Sequence, residues 1–237
     1  MSASQIAFYT SEAAEYADDA RYIGNTNGRT YSDDPLAALD SCALSQAYGR
    51  HQEVCRGVHG AEHCYRVCSG AAGRCAIRAD GRRQILDLLL PGDFFGLFER
   101  HGNDHDSVVE AIVEETVLVR YPRRRVLSLM RGNDALAKRM SELAFAALLR
   151  SETLVLILGR TTAREKVGAF LVELSSRVQK LDPESFAIPI SRYDIADYLG
   201  LSVETVSRSL SELRKSGAIR FATTREVRIL NHALLDS

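Results

Sequence analysis

The most constraining feature of this sequence is a stretch near its C-terminus. Its small, turn-forming and apolar residues have the spacing that is typical of two helices packed across a sharp turn. It runs from Arg192 to Leu210 and reads RYDIADYLGLSVETVSRSL. Ala196 lets the two helices approach closely, and Gly200 lies where the chain must turn and a residue without Cβ is favoured. Val206 then returns to the core. This spacing predicts a helix-turn-helix whose core contains these three residues.

The second helix of this pair carries polar side chains on the face that points away from the core. Glu204, Ser207 and Arg208 are spaced i, i+3 and i+4, which places them on one helical face. In a major groove, Arg can bond guanine and Glu can accept from the cytosine amino group, so we predict that these three residues read bases. The alternative is a surface ion pair between Glu204 and Arg208. Contacts to the DNA backbone are predicted for Arg192, Thr205 and Ser209.

The rest of the sequence predicts an α+β chain. From about residue 50 to residue 121, short apolar runs alternate with turn signals such as Asp80-Gly81 and Pro91-Gly92, which is typical of an antiparallel β-roll. A long helix follows, and the residues after Gly217 predict a two-stranded wing. The predicted domains are a poorly ordered lead-in with room for one short helix (1–40), a β-roll sensor-type domain (41–131), a dimerisation helix (132–159) and a winged helix-turn-helix domain (160–237).

The long helix has more apolar surface than one side of a helix needs. Its apolar residues follow three-and-four spacing to about Leu158, and the run 154–158 is apolar all round. Such a helix must be covered on several sides, either by its own chain or by a second chain. We predict a homodimer with an interface formed by Met140, Leu143, Ala147, Leu154 and Ile157.

Charge and hydropathy exclude several classes of protein. The chain has 30 Lys and Arg residues against 31 Asp and Glu residues, a net charge of −1, so it is not a polycation that coats nucleic acid or lipid. No run of about 18 apolar residues predicts a membrane span. The N-terminal residues lack the pattern of a secretory signal, so a cytoplasmic location without membrane partners is expected.

Together these patterns resemble the CRP/FNR superfamily of bacterial transcription regulators over about residues 50 to 232. The resemblance is most specific at residues 80–84 (DGRRQ), 90–96 (LPGDFFG) and 191–210. The string ETVSR at 204–208 looks like the FNR-type recognition helix, and residues 197–208 look like those of the FixK branch.

This resemblance implies a homodimeric regulator that is not an enzyme, an activator of low-oxygen or nitrogen-fixation genes. It implies binding to a TTGAT…ATCAA palindrome in double-stranded DNA and contact with RNA polymerase. The run Arg123-Arg124-Arg125 is interpreted as a solvated segment before the long helix, or as a surface for the polymerase. The alternative is a small-molecule or metal-binding redox protein whose helix-turn-helix is only a packing unit.

One departure from the cyclic-AMP-binding members bears on the ligand. Those members carry Gly-Glu and then Arg-Ser in the roll, where the Glu takes the ribose hydroxyl and the Arg takes the phosphate. Here the corresponding pairs are Gly96-Leu97 and Asp106-Ser107. Because an anionic side chain in the phosphate position repels the ligand, no cyclic nucleotide is expected.

Five cysteines cluster in the first third of the chain, and three interpretations of them remain open. FNR proteins hold a [4Fe–4S] cluster with grouped cysteines, and thiolates suit such iron. The spacing differs here, so the cysteines are either cluster ligands or buried thiols acting as small apolar residues. Zinc is the third interpretation, with His51, His59 or His63 as further ligands. The candidate metal ligands are Cys42, Cys55, Cys64, Cys68 and Cys75.

Overall fold

The computed structural model describes residues 34–56, 62–78, 81–97, 107–178, 180–182 and 185–235. These residues divide into two compact units, one ending at Leu148 and the other beginning at Leu149. The division falls within one long helix, so that helix contributes residues to both units. No helix among these residues is long and apolar enough to cross a membrane.

The first unit contains an antiparallel β-roll, as the sequence predicts. Its strands are β1 (Leu44–Tyr48), β2 (Glu53–Arg56), β3 (His63–Ser69), β4 (Ala72–Ile77), β5 (Arg83–Leu89), β6 (Phe94–Phe95), β7 (Ser107–Ala111) and β8 (Thr116–Pro122). They form two four-stranded sheets, ordered β1-β8-β3-β6 and β2-β7-β4-β5. Apolar side chains from both sheets meet in one core cluster, which explains the alternation of apolar and polar residues along the strands.

A glycine fixes the turn between β3 and β4. Gly70 has φ of 77°, a backbone conformation that side chains with a Cβ rarely adopt. A Cβ at this position would also collide with the side chain and Cα of Thr116. The Thr116 hydroxyl accepts a hydrogen bond from the backbone N–H of Ala71 at 3.2 Å, so the close approach ties this turn to the start of β8.

Before the roll, residues Pro35–Cys42 form an N-terminal 3₁₀-helix that belongs to the first unit. Leu36 and Leu39 are buried in a cluster that includes Phe94 and Tyr121. A short helix here is what the prediction for residues 1–40 allowed, and Leu36 and Leu39 anchor it in this cluster. The remainder of that prediction, residues 1–33, lies outside the described residues, as do Asp80 and Asp106.

The three consecutive arginines open a helix that the sequence interpretation missed. Helix α1 spans Arg123–Arg131 and buries Val126. Arg123 donates from Nε to the backbone oxygen of Leu97 at 2.9 Å. The interpretation as a solvated run is therefore wrong for Arg123, whereas Arg124 and Arg125 are exposed.

The long helix α2 spans Asp134–Leu158 and begins and ends close to the predicted positions. The side-chain oxygen of Asn133 accepts a hydrogen bond from the backbone N–H of Leu136 at 3.0 Å, which satisfies one of the free donors at the helix start.

The predicted dimer stripe of α2 faces its own chain instead. Met140, Leu154 and Ile157 are 0%, 8% and 3% exposed, and Leu143 and Ala147 are partly buried. A side chain that its own chain covers is not available to a partner, so the prediction is wrong for the three buried residues. The physical reason is that α2 carries apolar residues on two faces, and Met140, Leu154 and Ile157 lie on the face that packs within the chain.

The second unit combines helices with one small antiparallel sheet. Its helices are α3 (Ala163–Arg177), α4 (Arg192–Leu199) and α5 (Val203–Lys215), and a 3₁₀-helix (His232–Leu234) lies near the C-terminus. Its strands are β9 (Lys180–Asp182), β10 (Ser185–Ala187), β11 (Ile219–Phe221) and β12 (Glu226–Ile229), in the order β11-β12-β10-β9. Helices α4 and α5 with the β11–β12 hairpin confirm the predicted winged helix-turn-helix.

Close packing at Gly168 generates a stability prediction. A Cβ there would collide with the backbone carbonyl of Leu235. Although Ala normally favours a helix over Gly, Gly168→Ala should lower the free energy of unfolding by about 1–3 kcal/mol through overpacking. The measurement is urea unfolding followed by circular dichroism, with Glu212→Ala on the exposed surface of α5 as control. An increase in stability for Gly168→Ala would contradict the packing of the C-terminal segment on α3.

Candidate nucleic-acid interface

Local signals in the sequence fix the two helices of the motif. Ser191 caps α4 by accepting a hydrogen bond from the backbone N–H of Asp194 at 3.2 Å. The Asp194 carboxylate in turn accepts one from the backbone N–H of Ser191 at 3.2 Å, which completes a capping box. Gly200 ends α4 in the left-handed conformation with φ of 65°, and Ser202 caps α5 through the N–H of Thr205 at 3.1 Å.

One face of α5 is held in the core of its unit. Val206, Leu210 and Leu213 are buried, and so is Ala196 on α4. The predicted helix-turn-helix core residues thus lie at the contact between the two helices or, for Gly200, at the turn. This packing decides which side chains of α5 point toward solvent.

The predicted base-reading residues lie on the opposite face. Glu204 and Arg208 are exposed, and Ser207 between them is partly buried. Among the described residues, Glu204 and Arg208 form no ion pair with each other, so the alternative of a simple surface pair is not realised. Hydrogen bonding to its own backbone N–H and to Ser202 lowers the pKa of Glu204, which keeps its carboxylate ionised and able to accept hydrogen bonds.

The three residues predicted to contact the DNA backbone differ in exposure. Arg192 is exposed, and its Nη1 donates to the Ser207 hydroxyl oxygen at 3.3 Å. Thr205 is partly buried beside Ser202, with 3.0 Å between the two hydroxyl oxygens. Ser209 is only 3% exposed. The prediction for Ser209 is therefore wrong, because its position on α5 turns it toward the core rather than toward a phosphate.

The wing adds positive charge that the sequence interpretation did not single out. Arg220 on β11 lies directly opposite Arg228 on β12, and Arg225 is exposed near the tip of the hairpin. The detectable sequence signal was the three arginines within nine positions.

The five cysteines do not form one ligand set. Cys42 and Cys64 lie in the cluster that contains Leu36 and Leu39 of the N-terminal 3₁₀-helix. Cys55 packs against the separate core between the two sheets of the roll. Cys68 is partly buried at a register shift in β3. Cys75 on β4 accepts a hydrogen bond from Arg83 Nε at 3.3 Å.

All five cysteines are among the described residues, and those residues contain no group of three or more His, Cys, Asp or Glu side chains that could hold a metal ion. The joint assignment of the five cysteines as metal ligands is therefore wrong. Strand topology places them in different layers, so the donor set does not fit a [4Fe–4S] cluster. His51 and His63 complete no zinc site in the described residues, and His59 lies outside them.

The roll also differs from a cyclic-nucleotide site. Of the two positions that distinguish the nucleotide-binding members, Leu97 is among the described residues. Leu97 stands where the nucleotide-binding members carry Glu. It is 2% exposed and lies in the cluster that contains Leu36 and Leu39 of the N-terminal 3₁₀-helix. An aliphatic side chain neither donates nor accepts hydrogen bonds, so Leu97 cannot hold a ribose hydroxyl.

A β-roll, a long helix and a winged helix-turn-helix with a polar exposed face on its second helix together define a DNA-binding regulator with a sensor-type domain. Comparisons with known proteins agree with this class. Residues 165–237 match the family model of the Crp-like helix-turn-helix domain, and residues 45–133 match that of the cyclic nucleotide-binding domain.

Similar proteins narrow the class to a family. The chain is 39% identical over 204 residues to the nitrogen fixation regulation protein FixK of Azorhizobium caulinodans, covering 84% of this chain and 79% of the relative. It is 31% identical over 206 residues to the transcriptional activator protein FnrL of Cereibacter sphaeroides, covering 84% and 82%. The solved structure of FixK2 from Bradyrhizobium japonicum is similar with a TM-score of 0.71 at 35% identity, covering 81% and 95%. The chain belongs to the CRP/FNR family of transcription regulators, and within it to the FixK type.

The burial of Cys64 generates a prediction about thiol reactivity. Burial raises the pKa of the Cys64 thiol to about 12, so at pH 8 the reactive thiolate form is nearly absent. Iodoacetamide at pH 8 should therefore leave Cys64 unmodified in the native protein and label it fully after unfolding, as peptide mass spectrometry would measure. The partly buried Cys68 is the internal comparison. Equal labelling rates of Cys64 in the native and unfolded states would contradict its placement.

Proposed function

We propose that the chain is a cytoplasmic, homodimeric transcription activator of low-oxygen or nitrogen-fixation genes. It binds a TTGAT…ATCAA-type palindrome and contacts RNA polymerase, and it carries out no enzymatic reaction. The observation that carries the proposal is the exposed face of α5, where Glu204, Ser207 and Arg208 stand together while Val206 holds the opposite face in the core. The names of the FixK and FnrL relatives support the same role.

In this proposal α5 enters the major groove and its exposed face reads base edges. The Arg208 guanidinium donates two hydrogen bonds to guanine, and the ionised Glu204 accepts from a cytosine amino group. Arg220, Arg225 and Arg228 of the wing add attraction to the DNA backbone. That attraction is independent of sequence and weakens as salt increases.

The homodimer in this proposal uses a face of α2 different from the one the sequence pattern indicated. Exposed residues recur at alternating steps of four and three along α2, at Ser141, Phe145, Leu148, Glu152 and Val155. This is the spacing of a two-helix seam. Phe145, Leu148 and Val155 are 51%, 53% and 68% exposed, and a second copy of α2 packed along this stripe would cover them. Two copies related by a two-fold axis present two recognition helices to the two halves of a palindrome.

Control of the regulator in this proposal does not pass through an iron–sulfur cluster, because the five cysteines are divided between the two sheets of the roll and the N-terminal 3₁₀-helix. The activity is then set by the abundance of the protein or by another input. The alternative of a redox protein with a helix-turn-helix used only for packing is not favoured. It requires a ligand set that the described residues lack, and it leaves the polar face of α5 without a role.

Replacing Arg208 tests the reading of bases. Arg208→Ala should weaken binding to a TTGAT-type palindrome by about 1–3 kcal/mol and relax the preference for the contacted guanine. Fluorescence anisotropy at fixed salt measures both effects. Glu212→Ala, elsewhere on the same helix, is the control and should bind like the wild type. Wild-type affinity and preference in Arg208→Ala would contradict the proposed orientation of α5.

A charge in the α2 stripe tests the dimer. Leu148→Glu should convert the dimer to monomers, because it places a carboxylate where two apolar surfaces meet. Sedimentation velocity measures the change. Leu44→Glu is a matched control, since Leu44 is 54% exposed and lies on β1 rather than on α2. A dimer that persists unchanged in Leu148→Glu would show that this stripe is not the interface.

A further inference from the structure

The contact between Arg192 and Ser207 joins the two helices of the motif on the exposed side. We propose that Arg192 is a positioning residue that holds the Ser207 hydroxyl as a hydrogen-bond donor toward the DNA and so sets the base preference at one position of each half-site. The inference rests on the proposed function, because it assumes that α5 lies in the major groove. It gives Arg192 a part in sequence discrimination rather than the phosphate contact that its position suggested.

The backbone at Arg192 is placed by well-defined local structure. Arg192 is the first residue of α4, immediately after the capping box formed by Ser191 and Asp194. Asp194 is fully buried, so the start of this helix is anchored in the core of its unit. The side chain of Arg192 extends from this anchored start across to α5, where its Nη1 lies 3.3 Å from the Ser207 hydroxyl oxygen.

The polarity of this hydrogen bond follows from the chemistry of the two groups. A guanidinium group has donors only, so the Ser207 oxygen must accept. A serine hydroxyl has a single proton, and among the described residues the Ser207 hydroxyl donates no hydrogen bond, so this proton is available to DNA. A cation beside the oxygen orients the hydroxyl dipole so that its proton points away from Arg192. The serine, which could otherwise donate or accept, is thus biased toward donating.

This bias has a consequence for the base that the pair can read. In the major groove, guanine N7 and O6, adenine N7 and thymine O4 accept hydrogen bonds, whereas the amino groups of cytosine and adenine donate them. A donating hydroxyl beside a guanidinium favours the accepting atoms and disfavours the amino groups. Together with the accepting Glu204 and the donating Arg208, the exposed face of α5 therefore presents a defined series of acceptor, donor and donor groups.

The test measures base discrimination rather than affinity alone. Wild type, Ser207→Ala, Arg192→Met and the double variant are titrated by fluorescence anisotropy at fixed salt. The duplexes are palindromes in which each base pair of the half-site is replaced, symmetrically, by the other three. Ser207→Ala identifies the base pair that Ser207 reads. At that base pair the wild type should bind about tenfold more tightly when the contacted base offers an accepting atom, as guanine, adenine and thymine do, than when it is cytosine.

The expected result is that Arg192→Met reduces this preference to about threefold or less and leaves discrimination at the other base pairs unchanged. In the Ser207→Ala background, adding Arg192→Met should not change the preference at this base pair any further. Arg225→Met in the wing is the matched control. It removes an exposed arginine of the wing and should weaken binding to all duplexes equally. The slope of log affinity against log salt concentration should fall by about one. Because Arg192 is exposed, circular dichroism should show an unchanged fold in Arg192→Met.

Three results separate failure of this inference from failure of the proposed function. If Arg192→Met weakens all duplexes equally and keeps the preference, Arg192 contacts only phosphate and the inference is overturned. If Ser207→Ala changes no preference, Ser207 reads no base and the inference is again overturned, while Arg208→Ala still tests the proposed function. If the wild type does not distinguish the palindrome from a scrambled duplex, the proposed function fails and the inference fails with it.

Discussion

The burial of one face of α5 is the constraint on which the candidate DNA-reading surface depends. Val206, Leu210 and Leu213 commit that face to the core of the second unit, so the rotation of the helix about its axis is fixed. Glu204 and Arg208 are consequently presented to solvent. The capping box at Ser191 and the left-handed Gly200 then set the angle between α5 and its partner helix. In the proposed function, specific recognition is thus a product of apolar packing on the opposite face of α5.

The helix-turn-helix could be predicted from the sequence because its determinants are local. A small residue, a glycine and an apolar residue at fixed spacing each restrict the backbone within a few positions, and the structure has each of them in the expected place. The short strands of the roll between about residues 50 and 121 were predictable for the same reason. The exception within the motif is Ser209, whose polar side chain suggested a phosphate contact although it lies on the buried side of α5.

Features that depend on long-range packing could not be predicted. The two apolar stripes of α2 differ by a rotation about the helix axis, and only tertiary structure shows that Met140 faces inward while Leu148 faces outward. The cysteines are close in sequence, yet successive strands of a roll belong to different sheets, so Cys64 and Cys75 end in different layers. The Arg192–Ser207 contact joins residues fifteen positions apart on separate helices and has no local sequence signal.

The central claim is that two copies of α5, held by a dimer, read the two halves of a palindrome. The most direct test measures the stoichiometry and the spacing dependence of binding with the full-length chain. Analytical ultracentrifugation should find two chains for each duplex. Lengthening the spacer by about five base pairs, half a helical turn, should reduce the affinity to that of a single half-site. One chain for each duplex, or an affinity that does not depend on the spacing of the half-sites, would contradict the account.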